Sequence, residues 1–364
     1  MPIIVLFWQS ARLTMTEIFQ LQGVFSLTVL VLELPGGYFA DRVGRRIALI
    51  AAYLIWSSAY LVYYYAESFA FFLLAEILIG AAVSLESGAD TALLYDSLKA
   101  LRDENSFARY QGKLVFWGNV AESVTAVLGG VMATYSLRWP FLACCIQLAI
   151  ASVLAYFLVE APRIEAQSEN QSMKDLFAEL LKSKQLLCAF GLFSSTATAT
   201  YVAIWLYQPY WKLANVPIEL FGFLWAFCSF TAGLTALLVG KFRGSRIEAQ
   251  LITLTSFVPG VALMIMGCTC NYASIALCAL VQAARGLNST AVLNYVHQRV
   301  GSSMRATAHS LLSAGVRLLF VLVGPCIGLI ADHSGILYAL FICGIFFVLV
   351  AATFRLWMFP DRSH

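Results

Sequence analysis

Long apolar runs alternate with short charged segments along the whole chain, and this segregation constrains the fold more than any other feature. Residues 18–39 and 47–65 are two such runs, parted only by Gly37-Tyr-Phe-Ala-Asp-Arg-Val-Gly-Arg-Arg46. A run of about 20 apolar residues is long enough to cross a bilayer as a helix. In lipid, each backbone N–H and C=O must be bonded within its own segment or a closed barrel, so runs of this length are helices. Only 12% of the residues are charged and 60% are hydrophobic, whereas soluble domains carry about 25% charged residues. The pattern predicts an all-α polytopic membrane protein.

The predicted spans cover about 17–39, 47–65, 69–97, 110–134, 139–159, 185–209, 217–240, 249–269, 272–297, 306–331 and 336–358. Residues 1–8 are apolar but too short to span, and they lack the basic region and cleavage site of a signal peptide. They read as the end of a first span whose beginning is missing, which brings the expected number to twelve. The longest polar run, 160–184, divides the spans into bundles at 1–159 and 185–358, with a tail at 359–364. Within it, 173–181 has apolar residues at helical spacing among charges, as in a surface-lying amphipathic helix. Gly130-Val-Met-Ala-Thr-Tyr-Ser matches Gly328-Leu-Ile-Ala-Asp-His-Ser. Thr91-Ala-Leu-Leu matches Thr290-Ala-Val-Leu, and Gly37 matches Gly240, all at nearly one separation. Two six-helix repeats are expected.

Basic residues concentrate on the side of the membrane that holds cytoplasmic loops. With Gly37–Arg46 cytoplasmic and the spans alternating, only Arg12, Arg138 and Lys212 of the 23 Lys and Arg fall outside, while Arg285 and Arg317 fall within spans. The tail is then cytoplasmic. The net charge of +3 is spread over many loops and does not indicate a nucleic-acid partner. The nine cysteines include no Cys-x-x-Cys pair, so no zinc site or disulfide framework is indicated. No phosphate-binding glycine loop or nucleophile–base arrangement appears, so neither an enzyme nor an ATP-driven pump is expected, and no cofactor.

The charged segment Gly37-x-x-x-Asp41-Arg42-x-Gly44-Arg45-Arg46 reads as a tight turn, with glycines supplying the conformational freedom. It resembles the signature between the second and third spans of the major facilitator superfamily. Arg305-Ala-Thr-Ala-His-Ser, Gly324-Pro325-x-x-Gly328-x-x-x-Asp332 and Ser87-Gly-Ala-Asp90-x-Ala-Leu-Leu-Tyr95-Asp96 are similar to other bacterial members. The resemblance implies that Asp41 lies near a helix end and that Arg45 pairs with Asp96. It makes Gly37, Asp41, Arg42, Gly44, Arg45, Arg46 and Asp96 a gating motif; the alternative is that they only fix topology and cap helices. Two departures stand out. Drug–proton antiporters of the family often carry an arginine four residues before a glycine in the fourth span, where this chain has Glu76 before Gly80. Their Gly-Pro-x-x-Gly-Gly is reduced here to Gly129-Gly130.

An ionisable residue inside a span costs about 2.5–3.5 kcal/mol on insertion scales and faces a partner or a cavity. Candidate cavity residues are Glu33, Glu86, Asp90, Asn119, Glu122, Arg285 and Arg317. Glu86 and Asp90, four apart, share a helix face and form a possible proton or cation site. Glu33 could instead bond a backbone group freed by Pro35, and Glu76 could be wetted near the outer end of its span. Arg285 and Arg317 could pair with carboxylates or bind an anion. Tyr207, Tyr210 and Trp211 read as an interfacial aromatic belt. The expected function is proton-coupled secondary transport of a small solute, possibly efflux, by a monomer in the cytoplasmic membrane. The rival is a non-transporting sensor or a truncated remnant.

Overall fold

The computed structural model describes residues 2–103, 106–160, 183–238, 245–299 and 305–358. The 161–182 stretch, the tail, and Gly240 to Gly244 of the second-half counterpart of the charged segment lie outside the described residues. The amphipathic helix expected at 173–181 falls in that excluded stretch.

The described elements are helical: α1 (Ile4–Ser10), α2 (Met15–Val43), α3 (Arg45–Tyr65), α4 (Phe69–Glu86), α5 (Ala89–Ala100), α6 (Phe107–Tyr135), α7 (Trp139–Tyr156), α8 (Lys184–Leu213), a 3-10 turn (Ile218–Leu220), α9 (Phe221–Leu238), α10 (Ser245–Cys268), α11 (Ala276–His297), α12 (Arg305–Ser334) and α13 (Ile336–Met358). Among the described residues, eleven spans are long and apolar enough to cross a membrane, and the protein is multi-pass. The chain divides into two compact units, Met1–Gln167 and Ser168–His364.

Two expectations about local structure are corrected. The segment from Gly37 to Val43 is not a turn: α2 continues through it and ends at Val43. Only Gly44 leaves the helix, at φ 127°, a conformation costly for any residue with a Cβ. The span from Phe69 is also not one helix. Ser87 and Gly88 interrupt it, with Gly88 left-handed at φ 82°. Glu86 and Asp90 therefore belong to different helices and do not share a helix face.

In the first unit, α2 begins at a capping box. Thr14 Oγ1 accepts the Glu17 amide at 3.2 Å, and the Thr14 amide donates to Glu17 Oε2 at 2.8 Å. α2 lies close on α4 because two small residues sit at the crossing. A Cβ at Gly36 would lie 2.6 Å from the Ser84 carbonyl oxygen, and one at Gly80 would lie 2.9 Å from Thr28. An aromatic core joins α1, α3, α4 and α7: Phe7 and Phe141 have ring centroids 4.5 Å apart, Tyr63 and Phe141 5.1 Å, and Phe7 and Phe72 5.7 Å. The short α1 is buried in that core through Val5, Phe7 and Trp8.

In the second unit, α8 is the most enclosed span, with 61% of its apolar window buried. α10 and α13 cross at paired glycines, where a Cβ on Gly344 would stand 2.5 Å from the Gly260 carbonyl oxygen. α11 is tied to α10 by Asn288. Its amide donates to the Ile252 carbonyl at 3.2 Å, to Thr255 Oγ1 at 3.1 Å and to Ser256 Oγ at 3.2 Å.

Candidate functional site

The junction of α2 and α3 gathers charged and polar groups from four helices of the first unit. The Gly44 break redirects the chain so that the first amides of α3 point outward with no intrahelical acceptor. The Glu160 carboxylate, just past α7, fills that position. Its Oε1 accepts the Arg45 amide and its Oε2 the Arg46 amide, each at 2.8 Å. A carboxylate there also meets the positive end of the helix dipole. A Cβ on Gly44 would stand 3.3 Å from Glu160 Oε2, so the glycine supplies clearance as well as the backbone conformation.

The Arg45 guanidinium turns toward α5 and is in direct hydrogen-bonded contact with Asp96. Both side chains are mostly enclosed, at 22% and 18% exposure. Asp41 is only 3.9 Å from Arg45 and 72% exposed, a loose partner by comparison. Arg46 donates to the Leu158 carbonyl at 3.3 Å and lies over the Tyr156 ring. Arg42 lies over Tyr38, 5.0 Å from the ring centroid. Gly37 has nothing within 4 Å of a notional Cβ; the close approach belongs to its neighbour Gly36. The motif residues thus come together in part: Arg45, Arg46, Gly44 and Asp96 form the cluster, with Asp41 and Arg42 at its edge.

The expected cavity residues are more scattered. Glu33 is half-buried on α2. Glu86 is half-buried at the end of α4, where the Tyr53 hydroxyl approaches it at 3.4 Å. Asp90 is exposed on α5, and its carboxylate accepts the Thr91 amide at 2.6 Å, serving the first turn after the break. Asn119 and Glu122 are exposed on α6, the least enclosed span, with 18% of its window buried. Arg285 is exposed on α11. Arg317 is half-buried on α12; its Nε is buried and has no acceptor among the described residues.

Three readings of side-chain environment change. Tyr207, Tyr210 and Trp211 are not an interfacial belt; all three are buried in the second unit. Tyr210 donates to the Thr269 carbonyl at 2.7 Å, and its hydroxyl also meets Ser274 Oγ at 2.5 Å. Glu76 is not wetted near the membrane surface: it is 3% exposed, and the Tyr63 hydroxyl donates to it at 2.5 Å. Glu160, which the sequence reading assigned only to the linker, is the helix-capping partner of the charged motif. Its one sequence signal is a carboxylate placed directly after an apolar run and before Ala-Pro.

Residues 1–313 match the model of the Major Facilitator Superfamily. An uncharacterized MFS-type transporter of Bacillus subtilis, YxaM, is 22% identical over 96% of this chain and 89% of its own length. The quinolone resistance protein NorA of Staphylococcus aureus is 20% identical over 52% of this chain and 50% of its own length. Among solved structures, nucleoside transporter NupG aligns with a TM-score of 0.78 at 13% identity, covering 97% of this chain and 93% of that one. A bacterial homologue of the human lysosomal transporter Spinster aligns at 0.76 with 16% identity, covering 98% and 91%.

Proposed function

The chain belongs to the Major Facilitator Superfamily, and from that premise we propose that it exports a small solute across the cytoplasmic membrane by alternating access, driven by the proton gradient. The single observation that carries the reading is the Arg45–Asp96 contact beside the Glu160-capped start of α3. An ion pair with both partners largely enclosed holds two helices together while it is intact. Separation leaves charges exposed to a poorer environment, so such a pair can bias a two-state equilibrium. Arg45 belongs to α3 and Asp96 to α5, the piece beyond the Gly88 break, so the contact bridges elements that can part. Gly44 and Arg46 complete this latch, with Asp41 and Arg42 at its edge. The local likeness to a quinolone resistance protein supports export as the direction. The basic bias of the predicted inner loops supports a cytoplasmic C-terminus.

A charge exchange tests the proposal. Arg45→Asp and Asp96→Arg are each made alone and then together in cells lacking their own efflux pumps. Ethidium serves as an export probe and uridine as an uptake probe. Each single variant is expected to lower transport about tenfold or more, and the double variant to regain a large part of it. A double variant that regains nothing removes the latch. Folded wild-type protein that moves neither probe removes both ethidium export and uridine uptake.

A further inference from the structure

The side chains of three helices converge on one carboxyl inside the first unit. Glu76 of α4 is 3% exposed, and Tyr63 of α3, itself fully buried, donates its hydroxyl hydrogen to Glu76 Oε1 at 2.5 Å. The Gln22 side chain of α2, 3% exposed, hydrogen-bonds the same carboxyl. Trp8 of α1 packs beyond Tyr63 in a tilted arrangement with ring centroids 6.3 Å apart, and Phe72 packs on Tyr63 at 5.8 Å. No Lys, Arg or His side chain forms an ion pair with Glu76 among the described residues. The titratable groups facing it are the phenols of Tyr63 and Tyr60 on α3, with the Cys144 thiol of α7 beyond Tyr60.

A carboxylate enclosed in an apolar bundle without a side-chain cation is expensive, and a bound proton removes the charge. The contacts also suit both forms. When the carboxyl is neutral, Tyr63 donates to its carbonyl oxygen. When the proton leaves, Tyr63 and Gln22 remain to hold the anion.

Resting on the proton-coupled reading above, we propose that Glu76 is the residue that takes up and releases the coupling proton. On release the carboxyl O–H bond breaks, the electron pair stays on Glu76, and the proton passes to water. Uptake reverses the step. The proposal assigns this role to the buried Glu76 in place of the Glu86 and Asp90 pair, which the Gly88 break separates.

The test has two arms. In the first, infrared difference spectra of the purified full chain are recorded between about pH 5 and 9, following the C=O band of protonated carboxyls. Glu76→Gln keeps a partner for Tyr63 and is expected to lose the pH-dependent band; the exposed Glu219→Gln keeps it. Tyr63→Phe removes a donor to the anion, and the band's midpoint is expected to move to higher pH, a shift that a purely structural role would not produce. In the second arm, vesicles containing the protein are driven by a pH gradient with ethidium as probe. Glu76→Gln is expected to lower gradient-driven movement about tenfold or more while ethidium–ethidium exchange stays within about twofold. A band that Glu76→Gln leaves intact, or one that no pH in the range changes, overturns the proposal. So does gradient-driven transport that survives Glu76→Gln. Wild-type vesicles that do not move ethidium break the transport reading alone, and the infrared arm then decides the role of Glu76.

Discussion

The two units solve the same packing problem with different chemistry. In both, helices cross at small residues: Gly36 and Gly80 between α2 and α4, Gly260 and Gly344 between α10 and α13. Beyond that the units diverge. The ion pairs Arg45–Asp96, Arg45–Asp41 and Arg138–Glu67 lie in the first unit. There, Arg138 also ties the α3 end by donating to the Tyr64 and Ala66 carbonyls. In the second unit, neutral groups bridge helices at three places: the Asn288 amide across α10 and α11, Tyr210 on the α10 end, and Thr235 Oγ1 donating to the Ala283 carbonyl at 3.0 Å. Charged contacts change strength with ionic strength and protonation, while neutral ones do not. The three ion pairs of the first unit are thus contacts that conditions can loosen, and these three neutral bridges of the second are contacts that conditions leave alone.

The largest expected effect strikes where the units are alike. Gly344→Val would push a branched side chain against the Gly260 carbonyl and Met264. It is expected to cost about 3 kcal/mol, seen as a large fall in the unfolding temperature of the purified protein in detergent. If the protein tolerates it, close glycine crossing is not what joins α10 to α13. Next comes the charged side of the contrast. Arg45→Ala leaves Asp96 without its cation. A fully buried pair loses about 3–5 kcal/mol this way, and with roughly a fifth of each side chain exposed the expected loss is about 2 kcal/mol. Part of that loss should disappear in high salt, which weakens the intact pair in the wild type. The smallest effect lies on the neutral side. Asn288→Ala removes hydrogen bonds among buried groups, for about 1 kcal/mol, with the same loss at low and high salt. Equal salt responses for the two variants would erase the distinction between the units.

The spans were legible because hydropathy and backbone bonding in lipid leave few alternatives; α3, α7 and α13 lie close to where the apolar runs place them. One interruption, the turn at Gly37, was misplaced, and another, at Gly88, was missed. Glycine marks a turn in a soluble chain, but in a membrane helix it is as often a packing site. Gly36 packs on α4 from inside α2, Gly37 follows it in the same helix, and Gly44 and Gly88 break the backbone. Arg45 and Asp96 were legible as partners through the family motif. Glu160 was not, because its partners lie more than a hundred residues away and no local pattern announces such a contact. Glu76 was misread because position along a span says how deep a residue is but not which way it faces. Its enclosure depends on Tyr63, Gln22 and Trp8, contributed by other helices.

The break at Gly88 makes the fourth span a jointed rod. Asp96 lies eight residues beyond the joint, about 12 Å along α5 at 1.5 Å per residue. A swing of about 15° at Gly88 would carry the Asp96 carboxylate sideways by about 3 Å, the full length of a hydrogen bond. Such a joint would act as a mechanical amplifier: an adjustment of one or two backbone torsions near Glu86 would be enough to lift Asp96 off Arg45 while α4 stays seated on α2.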